Sequence, residues 1–175
     1  MSGAAHLGAF LSTPQPCLPF RWLTSYRNAA RASLEGLTEL ELSGSTFVLP
    51  CDLRFASGKA SCDLRVLDIT GCYRCRPLHE VVRGFDRLEV LRASRVLSGS
   101  NSSLKSLESV LRAVPRLQHL EIGLEGAGRM PEERPVLSKC GPALIYLDMS
   151  GWRLSEEEIA IIRAAFPKLQ KLVTD

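Results

Sequence analysis

The phrase L-x-x-L-x-L occurs six times in this chain at nearly even intervals, and no other feature limits its possible folds so sharply. Five copies open full nine-residue windows: LTELELSGS from Leu37, LRVLDITGC from Leu64, LEVLRASRV from Leu88, LQHLEIGLE from Leu117 and LIYLDMSGW from Leu144. A sixth, LQKLVT, opens at Leu169. Successive starts lie 27, 24, 29, 27 and 25 residues apart. Over the first, fourth and sixth positions of the six copies, seventeen of eighteen residues are apolar, Thr174 being the exception. A chain that is 45% hydrophobic would place about eight there by composition alone.

Alternate side chains of an extended strand point to opposite faces, so the leucines of each copy point inward while the third and fifth residues point out. One such unit cannot bury its own apolar face, but units stacked side by side make a continuous core. The expected architecture is therefore α/β: one short strand per copy, laid parallel to its neighbours, with a helix or loop returning the chain between strands. The return segments agree. Pro77–Leu88 and Ser102–Leu117 carry apolar residues at helical spacing. In SEEEIAIIRAAFPKL, Ser155 and Glu158 match a capping box, the three glutamates fall at the positive end of the helix dipole, and Ile159, Ile162, Ala165 and Phe166 form the predicted buried stripe. Val48–Asp63 and Glu125–Ala143 hold glycine and proline and read as loops. Residues 1–33 read as an N-terminal cap or poorly ordered segment, and 34–175 as the repeat domain. The frame runs into the last residues without a polar cap, which reads as a fragment or isoform of a longer array.

The ninth position sharpens the class. Leu64, Leu67, Ile69 and Cys72 give L-x-x-L-x-L-x-x-C, which resembles the cysteine-containing class of leucine-rich repeats common in F-box leucine-rich-repeat proteins. The resemblance covers roughly Leu34–Asp175. It implies a solenoid of five to six repeats, with a curved parallel sheet on the concave side and helices and loops on the convex side. It also implies protein recognition, as substrate-recognition or adaptor subunits of ubiquitin ligases, with Skp/cullin-type components as partners. The chain departs from that pattern at the ninth position, where Ser45, Val96, Glu125 and Trp152 stand in the other full repeats, and no F-box-like sequence precedes Leu34.

Composition narrows the function. A net charge of +3 without a concentrated basic run argues against nucleic acid as the partner. No apolar stretch approaches the roughly 18 residues of a membrane span, and the N-terminus lacks the pattern of a secretory signal. Six unevenly spaced cysteines do not form a disulfide framework and fit a cytoplasmic or nuclear protein with reduced thiols. The acceptor-like Asn101-Ser102-Ser103 is then accidental.

Motifs with chemical content are few. Cys72, Cys75 and His79 give C-x2-C-x3-H, with Cys51 and Cys62 upstream, a spacing compatible with a zinc site. The competing reading has Cys72 fill the repeat's ninth position as a small packed group, and a lone C-x-x-C favours that reading, with no metal and no cofactor. The histidines are His6, His79 and His119, no G-x-S-x-G occurs, and the chain reads as non-catalytic. Gly123, Gly126 and Gly128 invert the dinucleotide-binding order and read as loop glycines. Trp152, Phe85 and Phe166 read as core, while Trp22 and Trp152 are also candidate binding anchors.

The repeat frame names the candidate binding face. Its outward pairs are Glu39 and Glu41, Val66 and Asp68, Val90 and Arg92, His119 and Glu121, and Tyr146 and Asp148. Five acids and one arginine give this face a charge of −4 within a chain of +3. Arg92 falls between Asp68 and Glu121, placed to neutralise either. The expected partner is a protein, its contact surface basic, with Val66, Val90 and Tyr146 as an apolar strip. An inhibitory or structural binding module for a basic partner, resembling ribonuclease inhibitor, is the alternative to a ligase adaptor.

Overall fold

The computed structural model describes residues 17–18, 38–44, 63–72, 77–96, 104–124 and 141–174. In chain order the elements are β1 (Cys17–Leu18), β2 (Glu39–Glu41), β3 (Val66–Asp68), α1 (Leu78–Val82), β4 (Val90–Arg92), α2 (Leu104–Ala113), β5 (His119–Glu121), β6 (Tyr146–Asp148), α3 (Glu156–Ala165) and β7 (Lys171–Val173). All strands pair in parallel in one open sheet whose spatial order is the chain order, with β1 and β7 at its edges. The six strands β2 to β7 are the third, fourth and fifth residues of the six sequence copies. β1, two residues long, has no counterpart in the repeated phrase and adds a rung beside β2.

Register follows the repeat frame without a slip. Leu40, Leu67, Leu91, Leu120, Leu147 and Leu172 are partners across successive strands. Two further patterns lock the units together. The second-position carbonyl of each copy accepts both the second and third N–H of the next, as Arg65 O does from Glu89 at 2.8 Å and Val90 at 2.9 Å. At the strand exit the eighth N–H donates to the next copy's seventh carbonyl: Gly44 to Thr70, Gly71 to Ser94, Arg95 to Gly123 and Leu124 to Ser150, all between 2.7 and 2.9 Å. Gly44, Gly71, Arg95 and Gly151, all eighth residues, have φ between 63 and 79°. The chain turns there through the left-handed region that glycine enters freely. Arg95 alone does so with a side chain.

The core lies behind the sheet. Leu64, Leu67 and Ile69 are fully buried, as are the matching residues of the three copies that follow. Truncating a leucine in such a place to alanine costs about 2–5 kcal/mol. From the return segments come Leu78, Val81, Val82 and Phe85 around α1, and Leu107, Val110 and Leu111 on one face of α2 with Val114 just past its end. Helix α1 is only five residues long because Gly84, just past its C-cap Arg83, turns the chain at φ 95°. Helix α3 opens with the expected capping box: Ser155 Oγ accepts from Glu158 N at 3.2 Å, and Ser155 N donates to the Glu158 carboxylate at 2.7 Å. Of its predicted stripe, Ile162 and Phe166 are buried, whereas Ile159 and Ala165 are only half-buried, so the later part of the helix meets the core. Phe166 and Leu111 close over Gly141, where a Cβ would stand 3.3 and 3.1 Å from their nearest side-chain atoms.

The outward face of the sheet and the ninth position

Two rows of side chains cross the sheet at right angles to its strands. The third-position row runs Glu39, Val66, Val90, His119, Tyr146 and Lys171, and the fifth-position row runs Glu41, Asp68, Arg92, Glu121, Asp148 and Val173. All ten residues expected on this face lie in these rows, exposed or half-buried, while the leucine between each pair is buried in β2 to β6. Lys171 and Val173 extend the rows by one strand. The sixth copy, LQKLVT, already held them in the right places, and extending the outward reading by one copy would have found them. With Lys171 the rows carry five acids and two cations, a charge of −3 rather than −4.

Side-chain contacts divide the face. From β4 to β7 they form a chain. Arg92 Nε lies 3.4 Å from Glu121 Oε1, and His119 Nε2 lies 2.6 Å from the same oxygen. An ionised carboxylate only accepts, so His119 donates there. The His119 ring stacks on Tyr146, with centroids 4.0 Å apart and planes 1° from parallel. Lys171 Nζ stands over the Tyr146 ring, 5.2 Å from its centroid. The Tyr146 phenol is pushed above its ordinary pKa, first by burial and then by the nearby charges of Asp148 and Glu121. Tyr146 is thus contacted by His119 and by Lys171, and it belongs to a packed polar network more than to an open apolar strip.

Arg92 leans to Glu121, and Asp68 finds another partner. Its Oδ1 accepts from Thr70 N at 2.9 Å, and Asp148 Oδ1 accepts from Ser150 N at 2.8 Å in the same way. A short acidic side chain bonding backbone two residues on is the Asx-turn chemistry of a chain leaving a strand. These two aspartates therefore shape the strand exit as well as facing outward. On β2, Glu41 Oε1 accepts from Ser43 Oγ at 3.2 Å.

The ninth position faces inward. Cys72, Val96 and Trp152 are buried, and the N–H of each donates to the sixth-position carbonyl of its own copy. Cys72 Sγ also donates to Leu42 O at 3.0 Å, thirty residues back, and Trp152 Nε1 to Ile122 O at 2.9 Å, again thirty back. Leu42 and Ile122 are both sixth residues of the preceding copy. Among the described residues no three His, Cys, Asp or Glu groups gather as metal ligands, and His79 is half-buried on α1. Cys75, Cys51, Cys62, Ser45, Trp22, Glu125, Gly126, Gly128 and the two expected loops up to Cys62 and Cys140 lie outside the described residues, as does residue range 1–33 apart from β1. Gly123 lies at the seventh position beside β5, where a Cβ would stand 2.6 Å from Ser150 Oγ and 3.4 Å from Ser94 Oγ. No helix among the described residues is long and apolar enough to cross a membrane. In comparisons with known proteins, no family model and no curated sequence matches the chain.

Proposed function

We propose that the chain is a leucine-rich-repeat solenoid that binds another protein on its outward sheet face, as a substrate-recognition or adaptor subunit of ubiquitin-ligase type. The observation that carries this reading is the pair of rows. Twelve outward positions on six strands stay in register, while the residues between them build the core. Parallel stacking of short strands makes a long surface from one repeated element, the form suited to extended protein contact. The ligase assignment is supported by the cysteine-containing phrase at Leu64–Cys72, and reduced thiols suit a cytoplasmic or nuclear setting. The excess of carboxylates over cations supports a basic partner and disfavours nucleic acid, whose phosphates it would repel. That same excess favours a second reading, an inhibitory or structural module that covers a basic protein. In both readings the chain performs no catalytic step and holds no cofactor.

Capture from cell extract separates the readings. Co-purification of Skp- and cullin-type components supports the adaptor, and a basic enzyme recovered alone supports the inhibitor. Either partner should be lost from a Glu121→Lys variant, which breaks the Arg92 and His119 contacts and reverses the charge at the centre of the face. A partner retained by that variant with unchanged affinity at low salt would refute binding through this face.

A further inference from the structure

The fifth-position row contains the same pair of residues twice. Glu41 on β2 lies in register with Asp68 on β3, and Glu121 on β5 lies in register with Asp148 on β6. The two pairs are also held alike. Each aspartate accepts through Oδ1 from the backbone N–H two residues on, Thr70 in one pair and Ser150 in the other. Each glutamate accepts through Oε1 from a side chain two residues away in the chain, Ser43 in the turn after β2 in one pair and His119 on β5 in the other. Between the pairs stands Arg92 on β4, turned toward Glu121. The row therefore reads minus, minus, plus, minus, minus, with its carboxylates oriented before any partner arrives.

Like charges at directly opposed positions on neighbouring strands destabilise a sheet. Neighbouring strands are about 4.8 Å apart. That is inside the Debye length of about 8 Å at physiological salt, so Glu41 and Asp68 repel largely unscreened, while Arg92 and His119 already relieve part of the repulsion at Glu121. A cation placed over each pair removes that repulsion. An arginine fork suits the task better than a lysine, because it can bridge two carboxylates in one plane. The centres of the two pairs are three strand spacings apart, about 14 Å. A fully extended segment advances about 3.4 Å per residue, so its residues i and i+4 are also about 14 Å apart and share one face with i+2. On a helix, residues i and i+7 share a face but are only about 10.5 Å apart, well short of that distance. Residue i+2 of the extended segment lies over Arg92.

Resting on the protein-binding reading of this face, we propose that it recognises an extended segment crossing the strands, with basic residues at i and i+4 and an acidic or hydroxyl residue at i+2. The test is fluorescence anisotropy of the full chain with dye-labelled peptides of equal composition, carrying two arginines spaced two, three, four or six residues apart and one glutamate between them. The four-residue spacing should bind about three- to fivefold tighter than the others, the worth of the second exposed charge-assisted contact that the other spacings cannot make at the same time, and should weaken as salt rises. In the double variant Glu41→Gln, Asp68→Asn the preference for spacing should vanish, since one pair is neutralised while the asparagine carbonyl still accepts from Thr70 N–H. Arg92→Glu should move the preference at the middle residue from glutamate to lysine. Equal affinity across the spacings, a preference that survives in the double variant, or no binding by any peptide would each overturn the proposal. None of those results bears on whether the face binds protein, which fails only if Glu121→Lys keeps its partner.

Discussion

Cys72 and Trp152 make the same hydrogen bond in two different repeats: each is a ninth residue, and each donates its side-chain proton to the sixth-position carbonyl thirty residues back. A thiol and an indole share little in size or chemistry. What they share is a place where an inward side chain at the strand exit comes within reach of the preceding unit's backbone. Val96 fills the equivalent place between them, buried but without a side-chain donor.

Removing either donor should therefore cost stability in proportion to the bond and the volume lost. Trp152→Phe is expected to lower unfolding free energy by about 1–3 kcal/mol, from the lost N–H donor and the smaller ring. Cys72→Val keeps roughly the volume and gives up only a weak S–H donor, so about 1 kcal/mol or less is expected. Urea denaturation monitored by circular dichroism measures both, with an unchanged slope against denaturant as the sign that only stability has moved.

The left-handed eighth position makes a graded set. An alanine Cβ at Gly44 meets nothing within 4 Å, so Gly44→Ala should cost only the backbone term, about 1 kcal/mol. At Gly151 the same atom would stand 2.4 Å from Leu124 O, a backbone atom that cannot rotate away. Gly151→Ala should cost about 3 kcal/mol or more. Arg95→Gly runs the other way and should raise stability by about 0.5–1 kcal/mol, the relief of left-handed strain less the entropy of a freer unfolded chain. Thermal or urea unfolding that ranked Gly44→Ala as the worse glycine variant would contradict this account.

The raised pKa of Tyr146 has a pH signature. In the folded chain the phenol holds its proton more tightly than in the unfolded chain, whose tyrosine titrates near its ordinary value of 10.0. The stability linked to this group is complete below that pH and is lost as pH rises through the folded value. Tyr146→Phe should therefore flatten the decline in unfolding free energy above pH 10. Neutralising Asp148 and Glu121 together, as asparagine and glutamine, should bring the phenol's titration, read by ultraviolet absorbance, back toward the ordinary value without abolishing the part due to burial.

Much of this arrangement was legible beforehand in particular residues. The spacing of Leu64, Leu67 and Ile69 settles which way Val66 and Asp68 face, because a strand alternates and an apolar set this regular has only one face to bury. Ser155 and Glu158 announce their helix start because a capping box is made within four consecutive residues. The partners of outward side chains were less accessible. Arg92 has acids on both neighbouring strands at equal register, and sequence offers no ground for its leaning to Glu121 over Asp68. Asp68 is committed to Thr70 by the local turn, a backbone event two residues away that the alternation of a strand does not foretell.

What the amino-acid order determined by itself is the periodic part of the molecule: the short strands, their inward leucines, and the rows that face out. Identical phrases at near-constant intervals can bury their leucines together only by stacking in register, so the pattern and the sheet are one constraint. The tertiary structure decided what is not periodic. It joined His119 to Tyr146, set Lys171 over the same ring, and brought Cys72 to the Leu42 carbonyl. Those contacts run between repeats, where side-chain rotamers and the few ångströms between neighbouring strands choose the partner. No single repeat contains that information.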